Sequence, residues 1–146
     1  MSQQAQFLPT VQALVKCYQA FEAYSATHIR ALGLTPPQFD IIATLGNTLG
    51  MTATELGEKT LITKGTLTGV VDRLASRGWV ERVAHDRDGR CQIIRLTRAG
   101  EALFAKVFPA HLAHVGACFA GVSAAEHTRW QAALRSLEHV LRKEST

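Results

Sequence analysis

Apolar residues recur along this chain at two different periods, and the changes of period divide it into elements. Phe7, Val11, Leu14, Tyr18 and Phe21 advance by alternating steps of four and three toward Ser25, with Leu8, Val15 and Ile29 widening the stripe. This is the repeat of one helix face, and it predicts a long helix from 7 to about 32, closed by Gly33. Thr35-Pro36 opens a second helix, with proline near its first turn. It is expected to run from about 36 to 48 and to bury Phe39, Ile42, Ala43 and Leu45. Gly50 breaks the chain. Thr52 and Glu55 then have the spacing of a capping box, opening a short helix that turns Leu56 inward and ends near Thr60. A turn through Leu61 and Ile62 leads to Thr63, placed to cap a further helix over about 64 to 77. Leu67, Val70, Val71 and Leu74 make the apolar stripe of that helix.

The period then shortens. Gly78 stands where a left-handed glycine ends a helix, and Trp79 to Val83 alternates apolar and polar, the pattern of a strand. Gln92 to Leu96 alternates less cleanly. The segment between them, His85 to Arg90, contains Asp88-Gly89, a strong hairpin-turn dipeptide. Helical spacing returns after Thr97, with Gly100 tolerated in the first turn. Leu103 and Val107 are apolar positions, Val115 and Phe119 are further candidates, and Pro109 is expected to kink the helix. Gly121 ends it. Ser123 and Glu126 form a second capping box for a last helix carrying Trp130, Leu134, Leu137 and Leu141.

Charge singles out one part of this series. From Lys59 to Arg98 nine Lys and Arg face four acids, a surplus of +5, whereas the whole chain carries +4. The surplus is therefore confined to the helix, turn, helix and hairpin, the footprint expected of phosphate binding. The helix from 64 to 77 is apolar on one face. Lys64, Gly65, Thr68 and Gly69 lie largely on the other, with Thr66 at its edge. A major groove admits such a helix and exposes base edges to it. Lys64 and Arg73 are read as phosphate contacts, while Thr66, Thr68 and Gly69 can approach bases. Two glycines in a helix cost roughly 1 kcal/mol each against alanine, so close approach is a reason to keep them. Arg87 and Arg90, carried at the hairpin tip, suit a narrow and electronegative minor groove.

These residues carry a family resemblance. T-x-x-E-L at 52–56, T-K-G-T-L-T-G-V-V-D-R-L at 63–74, R-G-W-V at 77–80 and D-R-D-G-R-x-x-x-x-x-L-T-x-x-G at 86–100 resemble the MarR family of bacterial winged helix-turn-helix regulators. The resemblance implies a mainly α (α+β) fold, a winged helix-turn-helix with N- and C-terminal dimerisation helices. It implies one MarR-like domain over 1–146, with 36–98 as the DNA-binding lobe and 1–35 plus 99–146 as the dimerisation lobe. The expected protein is a homodimeric repressor on double-stranded DNA, binding a pseudo-palindromic operator and released by a small aromatic or phenolic ligand. Its DNA-contacting residues would be Thr63, Lys64, Gly65, Thr66, Thr68, Gly69, Arg73, Arg87 and Arg90. The family's aromatic ligands point to the region of Tyr24, His28, Arg30, Phe39 and Ile42.

The remaining candidates are weighed against plainer roles. Asp72 is acidic on a basic face: it pairs locally with Arg73 or Arg77, or it orients a wing arginine. Cys17, beside Tyr18 on the first helix, is either an oxidant-sensing thiol, as in some members of the resembled family, or a buried structural one. A sensing thiol needs access and thiolate character. Cys91 is expected exposed at the wing and Cys118 in the core. His111 and His114 are three apart, with His28 able to join them, but no carboxylate or cysteine completes a metal site. They are read as polar-face residues, with no metal or cofactor. Three cysteines without paired spacing fit reduced thiols and a cytoplasmic protein. No basic leader precedes the first helix and no apolar run reaches a membrane-spanning length. A nucleophile elbow, phosphate loop and H-E-x-x-H are all missing, so enzyme chemistry is the least expected role. A winged protein-interaction module is the third alternative, and the wing arginines argue against it.

Overall fold

The computed structural model describes residues 5–60, 62–85 and 91–143. Its elements in order are α1 (Phe7–Ala31), α2 (Pro36–Leu45), α3 (Ala53–Thr60), α4 (Lys64–Ser76), β1 (Val80–Ala84), β2 (Gln92–Leu96), α5 (Arg98–Cys118) and α6 (Ala124–Lys143). They divide into two compact units, Met1–His114 and Val115–Thr146.

The first unit holds the core. Ile41, Ile42 and Leu45 of α2 are completely enclosed, as are Leu56 of α3 and Leu74 of α4. Leu67, Val70 and Val71 complete the α4 stripe, and Val80, Ile94, Leu96, Phe104 and Val107 close the cluster from the hairpin and α5. Fully burying side chains of this size stabilises by roughly 1.5–3 kcal/mol each relative to exposure. Strands β1 and β2 pair antiparallel, with Val80 opposite Leu96 and Ala84 opposite Gln92. Met51 adds a one-residue bridge to Ile94, with reciprocal backbone bonds of 3.0 and 2.8 Å.

Local chemistry sets most element ends. Thr35 caps α2 in a full capping box with Gln38. The helix stops at Leu45 rather than the expected 48, because Gly46 leaves helical geometry and Asn47 turns left-handed at φ 58°. Thr52 accepts from the Glu55 amide at 3.2 Å, opening α3 as expected. Gly78, at φ 77°, closes α4: its amide bonds the Ala75 carbonyl and that of Trp79 bonds the Leu74 carbonyl. This is the paired arrangement of a left-handed helix end. Gly100 is more than tolerated. It is buried, and a Cβ there would overlap the backbone carbonyl of Trp79. Helix α5 continues through Pro109. No helix among the described residues is long and apolar enough to cross a membrane.

The stripe read on α1 is not core. Phe7, Val11, Val15, Tyr18 and Phe21 are exposed, and only Ser25, Ala26 and Ile29 are buried. In the second unit α6 buries none of its residues, and Trp130, Leu134, Val140 and Leu141 are exposed. Within that unit, Phe119, His127 and Trp130 form a short aromatic run.

Candidate nucleic-acid interface

Helix α4 owes its orientation to its own stripe. With Leu67, Val70, Val71 and Leu74 buried, the 3.6-residue repeat turns Lys64, Gly65, Thr66, Thr68, Asp72 and Arg73 outward, all exposed, with Gly69 half-buried between them. Lys64 and Arg73 thus stand in water with their charges available, and the two threonine hydroxyls lie on the same open face. Neither Gly65 nor Gly69 has any atom within 4 Å of where a Cβ would be. Nothing inside the protein therefore requires them to be small.

Thr63 occupies the N-cap position of α4 but does not cap it as expected. Its hydroxyl donates to the Thr66 hydroxyl at 3.2 Å and accepts from no backbone amide of the first turn. The Thr63 carbonyl instead accepts the Thr66 and Leu67 amides at 3.0 and 2.9 Å, and the Thr66 hydroxyl is engaged with a neighbouring side chain.

Asp72 pairs with neither Arg73 nor Arg77. Its carboxylate accepts from Arg82 Nη2 at 2.7 Å, tying α4 to strand β1 of the hairpin. The local-pair expectation fails because Asp72 projects toward the hairpin. Arg77 instead stacks on Trp79, 4.3 Å above its ring. A second bridge, Arg95 to Glu81 at 2.8 Å, crosses the two strands. Arg87 and Arg90, the expected wing-tip arginines, lie outside the described residues.

A different group of residues meets away from this face. His111 of α5 is buried, correcting its expected place on a polar face. Both of its ring nitrogens are engaged: Nε2 lies 3.0 Å from Ser25 Oγ and Nδ1 lies 2.9 Å from His28 Nδ1. His28 stacks on His114 at 4.1 Å between centroids, and His114 stacks on Tyr24 at 4.5 Å. The Tyr24 hydroxyl donates to the His114 carbonyl at 2.9 Å, and Phe39 meets His111 edge-on at 4.6 Å. Burial lowers the His111 pKa from its ordinary value, and the nearby His28 and His114 lower it further. For His28 the causes are desolvation and then His114.

Of the five residues expected around a ligand, Tyr24, His28 and Phe39 are therefore brought together. Arg30 is exposed and contributes nothing to this cluster, because two positions along α1 turn it to the far side of the helix from His28. Ile42 is sealed in the core with zero exposure. The sequence reading missed Ser25, whose polar atom looked like the end of an apolar stripe. It also missed Asp40, which is half-buried on α2, where desolvation pushes its carboxyl up to about 6. Cys17 is exposed, so it is not a buried structural thiol. Cys118, expected in the core, is exposed. Cys91, expected exposed, is half-buried, and its carbonyl accepts from the His85 amide at the base of the hairpin.

A helix-turn-helix presenting a basic, small-residue face, flanked by a two-stranded hairpin, defines the winged-helix class of DNA-binding proteins. Known proteins narrow this further. The model of the MarR family matches residues 32–90. A MarR family transcriptional regulator from Silicibacter pomeroyi DSS-3 has a solved structure that superposes with a TM-score of 0.74 at 31% identity, over 90% of this chain and 93% of that one. The regulator MhqR of Bacillus subtilis is 28% identical over 102 residues, 70% of each chain. The solved structure of Bordetella bronchiseptica BpsR, whose DNA binding is regulated by 6-hydroxynicotinic acid, superposes at 0.77 with 25% identity, over 89% of this chain and 98% of that one. The chain belongs to the MarR family of transcriptional regulators, whose members bind DNA and often act as dimers.

Proposed function

We propose that this regulator is a homodimeric repressor that holds a pseudo-palindromic operator with α4 and the wing and releases it on binding a small aromatic acid or phenol. The observation that carries the DNA reading is the open face of α4, where Lys64, Thr66, Thr68 and Arg73 surround two glycines that no internal contact explains. Thr63, Lys64, Gly65, Thr66, Thr68, Gly69 and Arg73 form the helix contact, and Arg87 and Arg90 the wing contact. Residues 36–98 act as the DNA-binding lobe, with 1–35 and 99–146 as the dimerising lobe. The exposed apolar side chains of α1 and α6 support pairing with a second copy, because patches of this kind are usually covered. A regulator that acts on bacterial DNA would work in the cytoplasm.

The ligand reading rests on the ring cluster of Tyr24, His28, His111, His114 and Phe39, where imidazole donors lie among aromatic faces suited to a planar acid. BpsR, a relative of similar fold, answers to a hydroxylated aromatic acid. Arg30 and Ile42 are the weaker members of the expected set. The exposed thiol of Cys17 favours a second reading, oxidant-triggered release. One experiment separates the two. An operator selected from random DNA is bound by the full-length protein and challenged with 6-hydroxynicotinic acid, salicylate or hydrogen peroxide. Release by an acid, lost in His28→Gln, supports the ligand reading. Peroxide release lost in Cys17→Ser supports the thiol reading. Failure to select any operator removes the repressor reading itself.

A further inference from the structure

A contact of 2.9 Å between two imidazole Nδ1 atoms is a statement about protons. One nitrogen must donate and the other accept, so the contact holds a single proton. His111 can carry an extra proton at little hydrogen-bonding loss, because Nε2–H then donates to Ser25 Oγ and Nδ1–H to His28. A proton on each ring is different: two N–H groups then point at one another across the same gap. His28 also lies 4.1 Å above His114 in a nearly parallel stack, so a further charge there is opposed.

We propose that the His28–His111 contact is a proton-operated latch between α1 and α5, closed while the pair shares one proton and opened when each ring carries its own. The groups facing the pair are few. α1 presents Tyr24 and Ser25 beside His28, α5 presents His114, and α2 presents the Phe39 ring. Among the described residues, neither ring forms an ion pair with a carboxylate. Asp40, next to Phe39 on α2, forms no ion pair with them. No counter-charge therefore offsets the second proton, and it goes to separating the helices. The edge of Phe39 against His111 gives the opening a route into α2, which packs on the core beneath α4.

The pH window follows from the two histidines, both held below the ordinary 6.5. At these two sites the unfolded chain then binds more protons than the native one as pH falls through 6.5, so the pair's contribution to native stability declines there. The decline levels off only after the native rings have titrated. This latch is independent of the ligand proposed above and stands if no acid binds.

Two measurements on the full-length protein test it: histidine Hε1 titration by NMR, and urea-unfolding midpoints from pH 8 to 4.5. The wild-type pair is expected to titrate in two coupled steps, the second displaced to lower pH, and the wild-type midpoint is expected to fall below pH 6.5 relative to that of His28→Gln, which keeps Asp40. His28→Gln keeps a donor and an acceptor but cannot titrate, so it should flatten that fall, whereas the exposed control His139→Gln should not. Independent titration of both rings near 6.5 overturns the latch. So does a His28→Gln midpoint displaced equally at every pH, which is the mark of lost packing alone. If His28→Gln fails to fold, the wild-type titration still decides.

Discussion

Gly69 of α4 and Gly100 of α5 both lie inside helices, and alanine at the two should act in opposite ways. At Gly69, in the middle of α4, no atom beyond its chain neighbours and the helix's own backbone lies within 4 Å of the missing Cβ. Alanine there relieves the helix-propensity deficit of glycine, about 1 kcal/mol, which raises the unfolding midpoint by roughly 2–4 °C for a chain of this size. At Gly100, in the first turn of α5, the same methyl runs into the Trp79 carbonyl, which already accepts the Thr97 amide at 3.0 Å. Backbone must move to admit it, and overpacking of this kind costs typically 1–3 kcal/mol. That outweighs any propensity gain, smaller still so near a helix end. Gly100→Ala should therefore lose about 1–2 kcal/mol in urea unfolding. The functional half of the prediction concerns Gly69 alone. If it is kept so that α4 can lie close to bases, Gly69→Ala gives a more stable protein with weaker operator binding, by tenfold or more, about 1.4 kcal/mol. A Gly69→Ala protein that is stabilised and binds operator as tightly as the parent refutes the close-approach argument. A destabilised one refutes the open-space argument.

Other outcomes follow from the same geometry. Asp72→Asn should change stability by less than about 1 kcal/mol, since the pair with Arg82 is partly solvated. It should nevertheless weaken operator binding in filter or fluorescence assays, because α4 and the wing lose their tie. Asp40→Asn should raise the unfolding midpoint at pH 7, where the parent holds a desolvated charge. That gain should fade as pH falls from about 6 toward 3.8, because the native carboxyl protonates first. Leu134→Asp places a charge on an exposed apolar position of α6, and sedimentation should show a larger monomer fraction than in the parent.

Where a contact is local, the amino-acid order was enough to read it. The α4 stripe and the Gly78 helix end depend on neighbours within a few positions and stand where the pattern puts them, and the first strand is displaced by one residue, to Val80–Ala84. Periodicity names an apolar face but not its partner. Phe7, Val11 and Tyr18 share the spacing of a core stripe and are exposed, while Ser25, in line with them, is buried against a residue 86 positions away. The three histidines could be grouped from the sequence, but the burial of His111 was illegible for the same reason. A three-residue spacing between His111 and His114 fits a polar face equally well, and only the packing of α1 and α2 against α5 buries one of them. Asp72 shows the limit at short range. Its partner Arg82 lies ten positions on, on the hairpin, and the amino-acid order left a local pair and a wing arginine equally open. The charge surplus located the basic module, but it could not say which cations stand free and which are held by Glu81 or Asp72.

The claim that α4 reads DNA is tested most directly by comparing Lys64→Ala with Thr68→Ala on selected operator and on scrambled DNA at several salt concentrations. Both residues are exposed on one face of one helix, and only one is charged. Lys64→Ala should weaken both DNAs alike and make the slope of log K against log salt shallower by about 0.9, the share of one phosphate contact. Thr68→Ala should leave that slope unchanged and narrow the gap between operator and scrambled DNA, by up to about 1 kcal/mol for a single hydroxyl, toward the lower end of a base contact. Unchanged slopes and unchanged discrimination in both variants would contradict the account, and α4 would not be the helix that meets DNA.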